Sequence, residues 1–275
     1  MKLQDCRIAE STVKVRRATI ASAVLLSVVT VAVASSPADR FVKANGITLQ
    51  YVDWGGKGDV VLFLPGLVDD VHRFDTFAPR FADRFHVVGF SRRGQGGSDK
   101  PAAGYDTDTL VEDIRGFLDA LNVARVELIG HSMAGMEMTR FATKYPERVR
   151  HLVYLDAAYD MGTAYDVAVK AKLIEPSSKA PETPFEQLQA EANKTRLDFR
   201  GIRAPALAYF VILSGDPRWH VPFELGYKGE QIRIFKRDMK RGRAVEFHDT
   251  DHFFFADPNK TDTVVAEIGS FLSQP

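Results

Sequence analysis

The feature that most constrains the fold is a sharp strand-to-helix transition around Ser132. Residues 126–129 form a short, mostly apolar run typical of a buried strand, and residues 133–144 have the pattern of a helix. Gly130 and Ala134 stand two positions to either side of Ser132. Small residues are required there because a serine on such a turn has a strained backbone, and bulky neighbours would collide. The pattern predicts that the Ser132 hydroxyl lies at the carboxyl end of a sheet, where ligands bind.

The rest of the chain alternates short apolar runs with amphipathic stretches. This alternation predicts a mostly parallel sheet with helices on both faces, whose first strands, having no helix between them, form an antiparallel edge. We expect Thr107 or Asp108 to cap the first helix. The predicted strands are 47–52, 60–64, 85–90, 126–129, 152–155, 206–213 and 244–247, and the predicted helices are 110–121, 133–144, 231–240 and 261–272.

Residues 157–203 interrupt this alternation with an irregular, polar segment that contains three prolines. The segment is too long for an ordinary connection between a strand and the next element. We predict that it is a small cap inserted over the functional edge of the sheet.

The first 34 residues differ from the rest of the chain. Basic residues precede an uncharged stretch over residues 18–31, and a small-x-small cleavage pattern follows at residues 32–34. This order indicates a secretory signal, so we expect an exported protein, periplasmic or secreted, whose main domain covers residues 35–275. A retained membrane anchor is the alternative, although 17 uncharged residues are few for a spanning helix.

Composition restricts the classes of function. The chain of 275 residues has 36 Lys and Arg and 36 Asp and Glu, and this balance does not favour a nucleic-acid partner. The single cysteine, Cys6, excludes an internal disulfide and a metal site built from thiolates. We therefore expect neither a metal nor a cofactor, and no stable membrane partner once the signal is cleaved.

Several segments together resemble the α/β-hydrolase superfamily, in its lid-bearing, esterase-like branch. The resemblance spans residues 41–275 and is specific as a set, although each motif alone is not. The segments are 45–55 (NGITLQYVDWG), 62–66 (LFLPG), 93–101 (RGQGGSDKP), 130–134 (GHSMA) and 251–253 (DHF).

The resemblance implies an eight-stranded type of sheet and a role for each motif. Ser132 would be the nucleophile and His252 its general base, with His248 as the competing histidine. His131, beside the nucleophile, is expected to be a packing residue. Backbone N–H groups of Leu67 and Met133 would form the oxyanion hole. The expected base thus lies in the last of these segments, 251–253. Arg92 and Arg93 are expected to form structural salt bridges.

The acid that would orient the histidine has two candidates in the required chain order. Asp156 directly follows the strand 152–155, and Asp216 follows the strand 206–213. The family usually places its acid after the later strand, but the matching position here is Ser214, whereas some relatives use a carboxylate after the earlier strand. We favour Asp156 and keep Asp216 as the alternative.

The function implied is hydrolysis of a carboxylic ester, or a related acyl bond, in a small-molecule substrate through an acyl-enzyme. A serine at residue 132 argues against epoxide hydrolase and dehalogenase chemistry, which needs a carboxylate nucleophile. C–C bond hydrolysis, perhydrolysis and a non-catalytic ligand-binding role are the alternatives. The cap, Phe210, Trp219 and Phe223 are expected to line an apolar pocket.

Overall fold

The computed structural model describes residues 37–212, 221–248 and 250–275, and the side chains of all of these except 221–226. The predicted signal at residues 1–34 lies outside the described residues, as do Asp216 and Trp219. The side chain of Phe223 is also outside them.

Within the described residues, eight strands form one sheet in the order β1-β2-β4-β3-β5-β6-β7-β8. The pairs β1–β2 and β2–β4 are antiparallel and all the others are parallel, which confirms the predicted antiparallel edge. The strands are β1 Arg40–Ala44, β2 Ile47–Gly55, β3 Val60–Leu64, β4 His86–Phe90, β5 Val126–His131, β6 Val149–Leu155, β7 Ala206–Val211 and β8 Gly242–Phe247.

Helices cover both faces of this sheet. The cluster on one face contains α1, α2 and α5, and the cluster on the other contains α6 and three short 3-10 segments. Both faces of the inner strands are therefore buried, which explains why β3 reads as a continuous apolar run rather than an alternating one. The helices are α1 Thr107–Ala120, α2 Ala134–Lys144, α3 Met161–Lys170, α4 Pro184–Lys194, α5 Val221–Asp238 and α6 Thr261–Leu272.

Two helix starts differ from the sequence prediction. The cap of α1 is Asp106 rather than Thr107 or Asp108, because the Asp106 side chain accepts the Thr109 N–H at 2.9 Å. Helix α5 begins ten residues earlier than the predicted 231–240, within a stretch whose glycines obscure the helical pattern. None of the described helices is both long enough and apolar enough to cross a membrane.

The segment 157–203 is more regular than predicted, since it contains α3 and α4. Thr183 and Glu186 form a capping box at the start of α4, where Pro184 occupies the first helical position. Leu188 and Ala192 of α4 pack in one apolar cluster with Met133, next to the turn at Ser132. The segment therefore adjoins the carboxyl edge of the sheet.

Gly135 tests how closely α2 packs against this edge. A Cβ atom at Gly135 would lie 1.8 Å from the Ala157 carbonyl oxygen, whereas one at Gly229 in α5 would meet no atom of the described residues within 4 Å. We expect Gly135→Ala to lower the free energy of unfolding by about 2 kcal/mol or more. Gly229→Ala should raise it by up to about 1 kcal/mol. Urea unfolding of both variants measures this, and equal stabilities would contradict the packing.

Candidate active site

Ser132 occupies the turn between β5 and α2, with its backbone in the left-handed region at a φ of 54°. A Cβ atom at Gly130 would lie 2.1 Å from the Met138 sulfur and 2.9 Å from the Ala134 Cβ, so this turn has no space for a larger residue. The Ser132 N–H donates to the Leu155 carbonyl at 3.2 Å, which ties the turn to the end of β6. The small residues flanking Ser132 are therefore required by packing.

Asp156 follows β6 directly, and its backbone is also left-handed, with a φ of 44°. Its Oδ2 atom lies 2.7 Å from Nδ1 of His252, so the structure brings these two predicted residues together. His252 precedes the short 3-10 turn Phe254–Ala256 and is 31% exposed, whereas the Asp156 side chain is only 3% exposed. His248 comes immediately after β8.

The Asp156 carboxylate is ionised in a buried position because three donors surround it. Its Oδ1 atom accepts the Val211 N–H at 3.1 Å and the Lys228 ammonium at 2.6 Å. Burial alone would raise the pKa of Asp156, but the attraction of Lys228 and the bond to His252 outweigh it and hold the pKa well below the usual range. Sequence reasoning missed Lys228, since a lysine is ordinarily exposed.

His131 packs against His252, with ring centroids 4.3 Å apart. Its Nε2 donates to the His252 carbonyl oxygen at 3.0 Å, which makes Nδ1 the unprotonated atom. That Nδ1 is buried without a hydrogen-bond partner, and the Asp69 carboxylate is 3.8 Å away. Burial, with a contribution from His252, lowers the pKa of His131 well below its usual value. The expected packing residue thus also anchors the backbone of His252.

The loop that carries Leu67 lies directly against Ser132. A Cβ atom at Gly66 would be 3.3 Å from the Ser132 Cβ. The buried Arg92 guanidinium donates to the Pro65 carbonyl at 2.8 Å and pairs with Glu137 at 2.5 Å.

Two backbone N–H groups flank the serine. Among the hydrogen bonds of the described residues, neither the Leu67 N–H nor the Met133 N–H donates to a protein acceptor. These groups are therefore available to an oxygen atom of a ligand. Arg93 forms the second expected salt bridge, to Asp113 at 2.6 Å.

The cavity beside Ser132 has a volume of about 10 Å³, too small for more than a single water molecule. No described residue of its lining carries a charge, and no group of three or more His, Cys, Asp or Glu in the described chain could hold a metal ion. Phe210, expected in the pocket, instead packs in the core with its ring 5.8 Å from Phe235. The lining is Ser132, Met133, Met136, Tyr159, Met161, Ala192, Thr195 and Leu197.

The neutral, buried His131 makes stability depend on pH. Its pKa is far below 6.5 in the folded state and near 6.5 when unfolded, so the unfolded chain binds more protons below pH 6.5. Stability should then fall as the pH decreases, by up to about 1.4 kcal/mol per pH unit. His131→Gln keeps an N–H donor and removes this slope. Urea unfolding at pH 7.5 and 5 compares the two proteins, and equal slopes would contradict a neutral His131.

Comparisons with known proteins identify the fold family. Residues 59–207 match the family model of the alpha/beta hydrolase fold. The chain is 35% identical over 117 residues to 2-(acetamidomethylene)succinate hydrolase of Mesorhizobium japonicum, covering 42% of each chain. It is 33% identical to N-formylmaleamate deformylase of Pseudomonas putida over 42% of this chain and 43% of the relative.

These alignments span less than half the length of either relative. The fold itself extends further. The crystal structure of E-2-(acetamidomethylene)succinate hydrolase superimposes with a TM-score of 0.64 at 21% identity, covering 86% of this chain and all of that one. Because the family model matches more than half of the chain, the chain belongs to the alpha/beta hydrolase fold family.

Proposed function

We propose that this protein is a serine hydrolase that cleaves a carboxylic ester or a related acyl bond. The nucleophile is Ser132, the general base is His252, and Asp156 orients the base. The observation that carries the proposal is the 2.7 Å contact between Asp156 and His252, at the sheet edge where the Ser132 turn lies. The hydrolases among the relatives, which share the family, support the same class of reaction.

Asp156 determines which imidazole nitrogen can act as the base. Because Nδ1 of His252 donates to the carboxylate, Nε2 carries the lone pair that accepts the proton of the Ser132 hydroxyl. The deprotonated Oγ then attacks the carbonyl carbon, and Nε2 returns the proton to the leaving alcohol. Water, deprotonated by Nε2, then attacks the acyl-enzyme and releases the carboxylic acid product.

The negative oxygen of each tetrahedral intermediate needs hydrogen-bond donors. The unoccupied N–H groups of Leu67 and Met133 flank Ser132, one on the adjoining loop and one at the start of α2. The N-terminal end of α2 adds its dipole to this stabilisation. Arg92 restrains the loop by binding the Pro65 carbonyl, so the donor of Leu67 is held in place.

The reaction requires movement around the serine. In the described structure Ser132 Oγ and His252 Nε2 are not hydrogen-bonded, and proton transfer needs them within about 2.6–3.2 Å. The cavity of about 10 Å³ also admits no acyl group as it stands. Residues of the cap segment 157–203 must therefore shift when substrate binds, and the three methionines of the lining can adapt their shape.

The uncharged lining favours an uncharged acyl group, and the narrow cavity favours a short one. The second possibility is that the same three residues cleave a bond other than an ester. A relative named a deformylase supports an acyl group not bound as an ester. C–C bond hydrolysis and perhydrolysis use the same nucleophile, whereas a ligand-binding protein needs neither serine activation nor turnover.

The proposal is tested with p-nitrophenyl esters from acetyl to dodecanoyl, using the wild type and Ser132→Ala. We expect a burst of nitrophenol with the wild type, fastest for short acyl chains. The serine variant should lose the burst, and its kcat should fall at least about 10³-fold, because no hydroxyl remains for His252 to deprotonate. Unchanged turnover by Ser132→Ala would contradict the mechanism. No turnover of any ester by the folded wild type would favour C–C hydrolysis or ligand binding.

A paired substitution distinguishes the two carboxylates. Asp156→Asn should lower kcat by about 10³- to 10⁴-fold, because the neutral amide no longer fixes the proton on Nδ1 or stabilises the imidazolium. Asp216→Asn is the matched control and should remain close to wild type. Steady-state kinetics with the best ester of the series measures both. Full activity of Asp156→Asn, or a comparable loss at Asp216, would overturn the assignment.

A further inference from the structure

We infer that Lys228 is a positioning residue for the Asp156–His252 pair, holding the carboxylate toward the imidazole and neutralising part of its charge. The inference rests on the proposed function and extends it to a residue outside the family motifs quoted above.

Lys228 and His252 bind different oxygen atoms of the Asp156 carboxylate. The ammonium nitrogen lies 2.6 Å from Oδ1, and His252 Nδ1 lies 2.7 Å from Oδ2. The Lys228 side chain is only 8% exposed, and its ammonium lies 4.2 Å above the Tyr159 ring. A buried ammonium is tolerated only where a counter-charge and oriented partners compensate its loss of water. Lys228 is therefore part of the site rather than a surface charge.

The face of α5 that carries Lys228 also holds the chain after Asp156. The Tyr227 hydroxyl donates to the Asp160 carbonyl oxygen, and the Gln231 side-chain oxygen accepts the Asp160 N–H at 3.0 Å. Gln231 lies one helical turn after Tyr227 and Lys228, four and three residues on, so it neighbours both on the surface of the helix. Helix α5 thus binds the segment 156–160 at both ends, and the lysine fixes the rotamer of Asp156.

The charge of Lys228 has a distinct consequence for the imidazolium. The carboxylate stabilises protonated His252, and the ammonium on its other oxygen opposes that effect. Without the ammonium, His252 would hold its proton to higher pH, so more alkaline conditions would be needed for a neutral base. Among the described residues, the other charged and titratable groups around the pair are Asp69, Arg73, His131, Tyr159, Asp160, Tyr227 and Asp251.

The test uses three variants of the full chain. Lys228→Met removes the charge and the hydrogen bond, Lys228→Gln removes only the charge, and Lys228→Arg retains the charge. Each is measured for kcat and KM from pH 4.5 to 9 with the best ester. The His252 ring is titrated separately by NMR, with its signal assigned through His252→Gln.

We expect the acid limb of kcat/KM to move to higher pH by roughly 0.5–1 unit in the Met and Gln variants and to stay in place in the Arg variant. The plateau kcat of Lys228→Met should fall at least about tenfold with KM nearly unchanged, and the Gln variant should lose less. The His252 titration should shift in parallel. Should Lys228→Met not fold, the comparison of Gln with Arg decides the result.

Two failures are distinguishable. An unmoved acid limb and an unmoved His252 titration in the folded Gln variant would overturn the inference while turnover persists. Absence of turnover in the wild type overturns the proposed function instead. In that case the NMR titration alone still decides whether Lys228 controls the charge state of His252.

Discussion

Parallel pairing of β5 with β6 is the constraint on which the site depends. The two strands run in register from Glu127 to His131, so the residues after each strand emerge side by side at one edge. The Ser132 N–H bonds to the last carbonyl of β6, and the Asp156 N–H bonds to the Tyr209 carbonyl of β7. A shift of register in this part of the sheet would separate the serine from the carboxylate that holds His252.

The backbone is strained at both Ser132 and Asp156. Left-handed backbone at Ser132 and at Asp156 costs on the order of 1–3 kcal/mol each. Close packing offsets this cost, because Gly130 and Gly135 allow α2 to approach both strands without a gap. Buried charges at the edge are paired: Arg92 binds Glu137, and Asp156 lies between Lys228 and His252. Ser132 and Asp156 are therefore held in place by the packed scaffold.

The sheet was predictable because its signals are local. Apolar runs and the small residues around Ser132 depend on neighbours in sequence, and strands β2 to β8 differ from the predicted ones by a few residues. The edge strand β1 was not predicted, because its mostly exposed residues form no apolar run. The sequence left two candidates for the acid, Asp156 and Asp216. The choice between them depends on a contact with His252, and Asp156 is 96 positions away from His252 in the chain.

The remaining features are long-range or look ordinary in sequence. Lys228 gave no signal because its burial results from contacts with Asp156 and Tyr159, which are about 70 positions away in the sequence. The two helices of the segment 157–203 escaped prediction because they are short and lie in an irregular, proline-containing stretch, although Asp160 caps α3 and a capping box at Thr183 begins α4. Phe210 illustrates the same limit, since an aromatic residue at a strand end can belong to the core or to a pocket.

Activation of Ser132 by His252 is tested most directly by covalent labelling of the full chain with a fluorophosphonate, followed by peptide mapping. We predict a single adduct on Ser132 that is lost in His252→Gln. No adduct on the folded wild type, or an adduct on another residue, would contradict the account.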